Sequence, residues 1–466
     1  MNVRIKFLGG ARTVTGSKYL LEIDDYRLMI DCGLFQGLKD LRLMNWEDFP
    51  VDPTSINAII ITHAHIDHTG YLPRLVKQGF SGDVYCTEAT ASLMDIMLKD
   101  SAKLQEEEAE WAAQKGYSKH ENPQPLYNTS DAEKALSLLN SFSYDNPIAI
   151  TNDISLKFFN AGHILGSAFV QITLHGAHQK KKIVFSGDIG RGLNPILYPP
   201  DKLLEADILL VESTYGNRDV PVVDTGEVLA QEITQALERE GCILIPAFAV
   251  GRTQLLMYWI HKLMQEGKIP QVPVYVDSPM AINATEVYKL HSSYHRVGND
   301  PSSDYSFCNF PGLQFIIDQD RSNDLNAVKK NAIIISASGM CTGGRILHHL
   351  YYRLPRKNDT VLFVGYQAMG TRGRRILNGE SKIKIFGIQV AVESEVREIR
   401  GLSAHADRSE ITSWLSGLTE APKKTFVVHG EDEVAQQFSK HIENELGWSN
   451  VIVPNYLESF ELFDNI

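Results

Sequence analysis

Cysteine is scarce and scattered in this chain. The five residues, Cys32, Cys86, Cys242, Cys308 and Cys341, never form a C-x-x-C pair. An odd, dispersed set excludes a disulfide framework and a thiolate zinc knuckle and fits a reducing compartment, the cytoplasm. Long apolar runs are missing as well. Nothing approaches the roughly 18 residues that a membrane span needs, and the opening MNVRIKFLGGARTVTG lacks the apolar stretch of a secretory leader, so neither membrane insertion nor secretion is expected. There is no basic excess either. A net charge of −12 gives no sign of a general nucleic-acid binder, whose hold on phosphates usually shows as a basic surface, so any nucleic-acid role must rest on a local site. Internal repeats, low-complexity tracts and Pro/Ser linkers are also lacking. What remains is an ordinary globular composition, 466 residues with 43% hydrophobic content, enough for two or three domains.

The texture changes twice along the chain. From Met1 to Ser213 short β-like runs dominate, among them RIKFLG, YLLEI, RLMID, NAIIIT, ISLKFF, KIVFSG and DILLVES. One helical stretch, residues 89–139, interrupts them. In it LQEEEAEWAAQKG reads as a solvated helix, and Ser130 with Glu133 reads as a capping box opening another. Residues 214–380 alternate helices with the apolar strands CILIP, VPVYVDS, AIIIS and TVLFVGY, the rhythm of a small α/β domain. Residues 381–466 return to strands, KIKIFGIQVAVESEVREI and KTFVVHG, around a helix at ITSWLSGL. The middle stretch therefore reads as an insertion into a host domain.

One loop stands out. THAHIDHTG follows the buried strand NAIIIT and places His63, His65, Asp67 and His68 within six positions. A strand end on a rigid scaffold splays such side chains toward one point. Imidazoles and carboxylates without thiolate suit zinc or a similar divalent ion with a coordination position left for water. So short a loop does not give all four groups to one ion, whereas two ions take them if other strand ends help. His163 in FNAGHILGS, Asp188 in VFSGDIG and His429 in FVVHGE are the candidates. Alone, a histidine after a strand is more often a hydrogen-bonded structural residue, and an aspartate in Gly-Asp-Ile-Gly a turn residue. Beside the cluster, all three gain weight together.

HAHIDH is similar to the H-x-H-x-D-H motif of the metallo-β-lactamase fold, and Asp31, His163 and Asp188 sit where that superfamily has its other motifs. Glu212 in VESTYG, His405 in GLSAHAD and His429 in VVHGE resemble the three motifs particular to β-CASP nucleases, a family that includes ribonuclease J. The resemblance runs over almost the whole chain. It implies an α/β fold, a metallo-β-lactamase αββα sandwich (1–213 and 381–466) interrupted by an inserted β-CASP domain (214–380). It further implies two Zn²⁺ ions per chain. His63, His65 and His163 would hold one, Asp67, His68 and His429 the other, and Asp188 would bridge them, with a hydroxide between the ions as nucleophile. Asp31 would orient a ligand imidazole. His405 would be the general acid for the leaving ribose oxygen, and Glu212 would keep its imidazole protonated. Without the resemblance, Glu212 reads as a helix-capping or turn acid and His405 as a residue at a helix start.

The implied substrate is single-stranded RNA. The Gly-rich turn SASGMCTGGR offers Ser336, Ser338, Gly339 and Arg345 as contacts to its backbone, although such glycines often make only a tight turn and no P-loop Lys-Ser/Thr pair follows. Two other readings remain: a hydrolase of the same fold acting on a small ester or a non-RNA phosphodiester, and a metal-stabilised, non-catalytic subunit of an RNA-processing complex. A homodimer is compatible with all three.

Overall fold

The computed structural model describes residues 1–115, 123–177, 179–220, 225–297 and 305–466. The chain forms two units, one of Met1–Gln36, Asp40–Asp219 and His405–Ile466, the other of Gly37–Lys39 and Val220–Ala404.

Two seven-stranded sheets build the first unit. In one, Ser459–Phe463, Val3–Gly9, Lys18–Ile23 and Tyr26–Ile30 pair antiparallel, and Ala58–Ile60, Asp83–Thr87 and Leu139–Phe142 extend the sheet in parallel. In the other, Val451–Ile452, Lys424–Val428, Ile208–Glu212 and Lys180–Phe185 run parallel, followed by antiparallel Ala168–His175, Ile154–Asn160 and Ile148–Ala149. Alternate residues of both sheets, such as Ile5, Phe7, Leu21, Ile30, Leu156, Phe158, Leu210 and Phe426, interlock in a shared core. The opposite face of the second sheet, Val184, Leu209, Val211 and Val427, is covered by Leu415, Phe438 and Ile442 from the helices Arg408–Leu415 and Asp432–Leu446. The helix Glu88–Lys115 packs beside the first sheet. This is an αββα sandwich.

LQEEEAEWAAQKG forms the last part of that helix as far as Lys115, and Gly116 lies outside the described residues. The helix after it is Thr129–Leu136, and its capping box is Asn128 with Asp131, two residues earlier than Ser130 with Glu133. Asn128 accepts from the Asp131 backbone N–H at 2.9 Å, and Asp131 accepts from the Asn128 backbone N–H at 3.1 Å.

The second unit is a six-stranded, wholly parallel sheet in the order Leu313–Phe315, Val274–Val276, Ala332–Ser336, Cys242–Pro246, Thr360–Phe363, Glu395–Glu398. CILIP, AIIIS and TVLF are buried at every position, as expected of parallel strands covered on both faces. This unit runs past residue 380. The short alternating strands after that point look like those of the host domain, yet Ile383, Ile385 and Val390 join the core of the second unit and Glu395–Glu398 pairs with Thr360–Phe363. Among the described residues no helix is long and apolar enough to cross a membrane.

Candidate metal centre

Strand ends supply the site. Asp31 follows Tyr26–Ile30, His63 follows Ala58–Ile60 closely, Asp188 follows Lys180–Phe185, Glu212 ends Ile208–Glu212 and His429 follows Lys424–Val428. His163 lies in the turn between Ile154–Asn160 and Ala168–His175. Asp31 and His429 both adopt left-handed backbone, φ 60° and 46°, which turns their side chains out of the strand path at some cost in local energy. The histidine loop, Ile66–Thr69 in helical form, is clamped by backbone bonds Ser17 N–H to Asp67 O, Cys32 N–H to His68 O and Leu34 N–H to Ile66 O, at 2.9, 2.7 and 3.0 Å. Gly33 permits this clamp, since a Cβ there would lie 1.6 Å from Asp67 O.

Seven side chains converge in two sets. His63, His65, His163 and Asp188 form one and Asp67, His68 and His429 the other, with the ligand atoms of each set within 4.8 Å of one another. Asp188 faces both. Its Oδ2 lies 3.4 and 3.5 Å from Nε2 of His63 and His163, and its Oδ1 lies 3.4 and 3.3 Å from Nε2 of His68 and Nδ1 of His429. Oδ1 is buried and accepts no hydrogen bond. A buried carboxylate oxygen with an unused lone pair, ringed by imidazole nitrogens, is the arrangement a divalent cation would satisfy, and the donor set fits zinc.

Protonation follows the surroundings. Burial pushes His63 down to about 3 and His65 to about 4, and it also lowers His163, so these rings are neutral and able to ligate. His68 goes the other way: against the effect of burial, the Asp188 and Asp31 carboxylates hold it well above its ordinary value. A metal cation there would replace that proton.

Supporting groups surround the seven. Asp31 accepts from the Thr62 backbone N–H at 2.8 Å and the Thr62 hydroxyl at 2.9 Å, and its Oδ2 lies 2.7 Å from His68 Nδ1. Thr62 Oγ1 is 3.1 Å from His63 Nδ1, and Thr214 Oγ1 is 3.1 Å from His429 Nδ1. Sequence reading passed over both threonines. Their signal was adjacency, Thr62 directly before the histidine run and Thr214 two residues after Glu212.

His405 joins the same unit through Ala406 N–H to Ile189 O at 2.7 Å. Its Nδ1 lies 3.1 and 3.2 Å from the two oxygens of Glu212, which is fully buried and also accepts from Ile189 N–H at 2.7 Å. Burial alone would lower the His405 pKa. The Glu212 and Asp188 carboxylates, with the Glu212 hydrogen bond, instead lift it to about 9, so the ring is protonated at neutral pH. With Nδ1–H directed at Glu212, Nε2 is the nitrogen turned away from it.

The expected RNA contacts in the second unit divide. Ser336 is fully buried and donates to Asp277 O at 2.9 Å. Arg345 donates to Asp277 Oδ1 at 2.7 Å, Ile316 O at 2.9 Å and Ile317 O at 2.5 Å. These two side chains tie strand ends together, because the buried Asp277 needs donors. Gly339 is buried against Phe248, and Ser338 keeps a partly exposed hydroxyl beside Thr342. Arg345→Ala should therefore act on stability, lowering unfolding free energy by about 1–3 kcal/mol. Urea denaturation checks this, and an unchanged midpoint would return Arg345 to the pool of substrate contacts.

A sandwich of this kind carrying two histidine-rich clusters and a shared aspartate defines a metal-dependent hydrolase of the metallo-β-lactamase class. Family models agree: residues 12–220 match the metallo-β-lactamase superfamily, 253–376 the Beta-Casp domain, and 389–454 a Zn-dependent metallo-hydrolase RNA specificity domain. The chain belongs to the β-CASP family. It is 34% identical to Ribonuclease TTHA0252 of Thermus thermophilus, over 92% of this chain and 94% of that protein. It is 32% identical to the RNase J-like protein of Methanocaldococcus jannaschii, over 98% of each. Transcription termination factor FttA of the same archaeon is 30% identical, over 94% of this chain and 68% of its own length. Among solved structures, a protein of unknown function from Enterococcus faecalis V583 shares the fold, with a TM-score of 0.54 at 12% identity over 99% of this chain and 100% of that one.

Proposed function

We propose that the chain is a dizinc ribonuclease hydrolysing phosphodiester bonds of single-stranded RNA. The observation that carries this reading is Asp188 facing two ligand sets while the His405–Glu212 pair stands beside it. RNA as substrate is favoured by the ribonuclease names of the relatives.

His63, His65 and His163 would hold one ion and Asp67, His68 and His429 the other, with Asp188 between them. Two such ions would acidify a shared water and neutralise charge on the scissile phosphate. The chain's own residues do the rest. Asp31 fixes the ring of His68 through Nδ1, leaving Nε2 for the metal side. His405 delivers a proton to the departing ribose oxygen, and Glu212 keeps that proton available by stabilising the imidazolium.

Elemental analysis of protein purified without added metal should find about two divalent ions per chain, and chelation should stop cleavage of single-stranded RNA. RNA labelled at its 5′ end and, separately, at its 3′ end would then show by product size whether cuts are internal or terminal. Full nuclease activity in metal-free protein would refute the reading.

A further inference from the structure

The second unit carries a surface that the metal centre does not explain. Between Ser336 and Val392 the chain holds nine lysines and arginines and two acids, Asp359 and Glu380, within a protein of net charge −12. Both acids are already matched, Asp359 to Arg353 at 3.0 Å and Glu380 to Arg375 at 2.7 Å, while Arg345 and Lys357 pair with Asp277 and Glu393 outside the stretch.

A group of rings stands on this basic ground. The helix Ile346–Arg353 buries Ile346, Leu347, His349, Leu350 and Arg353, which leaves Tyr352 exposed and His348 and Tyr351 half-buried beside it, Tyr351 partly packed on the core, at the i, i+3, i+4 spacing of one helix face. Phe386 sits at the tip of the hairpin Lys382–Ile385/Ile388–Ala391. Its ring centroid is 4.7 Å from that of His348 and 6.3 Å from that of Tyr351, and Tyr351 is 5.1 Å from Tyr352. Phe386 and Tyr352 remain 44% and 47% exposed. Lys382 and Lys384 alternate with buried Ile383 and Ile385, so both lie on the exposed face of the hairpin. Arg372 adds a third cation there, donating through Nε to Lys384 O at 3.1 Å.

The backbone at Phe386 is informative. Phe386 has φ 49° and Gly387 φ 83°, the two left-handed residues of a tight hairpin turn. Asn, Asp and Gly fill such a first position without strain, and a bulky aromatic does not. A large apolar ring is thus held where both turn chemistry and solvent disfavour it, the pattern of a residue kept for contact.

We propose that this face is a contact surface for single-stranded RNA, distinct from the residues that do the chemistry. Bases stack on Phe386, Tyr352 and Tyr351 while Lys382, Lys384 and Arg372 neutralise phosphates; the proposal rests on the reading of the substrate as RNA. Every base has a π-face, so such a platform holds a strand without regard to sequence. The excess of cations over acids in this stretch selects a polyanion. A second copy of this chain is the poorer occupant, because a two-fold contact would set the same basic residues against each other.

Phe386→Asn is the deciding variant, because Asn-Gly is a preferred pair for this turn and the hairpin is retained without the ring. Binding of a fluorescein-labelled, phosphorothioate-linked oligouridylate to the full chain is read by fluorescence anisotropy, with hydrolysis of a nitrophenyl phosphodiester followed in parallel. Phe386→Asn and Tyr352→Ser should each weaken binding about ten-fold and leave diester hydrolysis unchanged. Lys384→Gln should make the salt dependence shallower by about 0.7 in log–log slope. Unchanged affinity in both ring variants, or no binding by the unaltered chain, overturns the platform. If binding responds as expected while the unaltered chain cleaves no RNA, the platform stands and the ribonuclease reading falls. If Phe386→Asn changes the sedimentation of the chain and leaves RNA affinity alone, the face joins two copies and the proposal is wrong.

Discussion

Asp188→Ala should strip the protein of bound divalent metal and lower hydrolysis of RNA and of a nitrophenyl diester together, by more than about 100-fold, since even partners one step removed from a metal contribute 10–100-fold. The expectation comes from one carboxylate serving two clusters. Oδ2 approaches His63 and His163 at 3.4 and 3.5 Å, while Oδ1 approaches His68 and His429 at 3.4 and 3.3 Å. Truncation would remove a ligand from both ions at once and leave five imidazoles facing a site that has lost its central negative charge. His429→Ala should be narrower in effect, taking away occupancy of the second cluster alone. Zinc content and rates on both substrates, measured for the two variants, separate these outcomes. Full metal content in Asp188→Ala would end the bridging assignment.

His405→Ala should keep its metal and still lose about 10²–10⁴-fold on RNA, the usual worth of a positioned general acid. The loss should depend on the leaving group. A ribose alkoxide needs a proton as it departs, whereas nitrophenolate leaves without one, so the diester rate should change little. Glu212→Gln should follow the same pattern more mildly, since an amide at that position still lies against Nδ1 but no longer stabilises the imidazolium. Equal loss on both substrates, or loss of zinc from His405→Ala, would move His405 into the ligand set.

Much of the centre could be read from the chain because strands deliver side chains at their ends. NAIIIT announced a buried strand, and the four ligand-type residues after it had one direction in which to point. The pairing of atoms was not legible. Which oxygen of Asp188 faces which imidazole depends on how two sheets pack, and no local pattern encodes that. The bonds that Arg345 and Ser336 make to Asp277 were not legible for a related reason: Asp277 follows a different strand and shows in the sequence only as VDS. The run after residue 380 was ambiguous because period-two strands look alike in either unit, and only the parallel pairing of Glu395–Glu398 with Thr360–Phe363 assigns it.

The strand Val3–Gly9 pairs with Ser459–Phe463, and His68 Nε2 lies 3.1 Å from His429 Nε2 across 361 positions of sequence. On a ribosome the histidine loop would emerge long before its partner. With His429 assigned as a ligand, the second ligand set would stay incomplete until residue 429 has been made and has left the exit tunnel, so an enzyme that cuts RNA with both ions would be harmless to its own message until then. Ribosome-bound nascent chains stalled before and after that point should differ by the ion of the second set alone, since the first set is complete once Asp188 has emerged, which would make maturation of this protein stepwise.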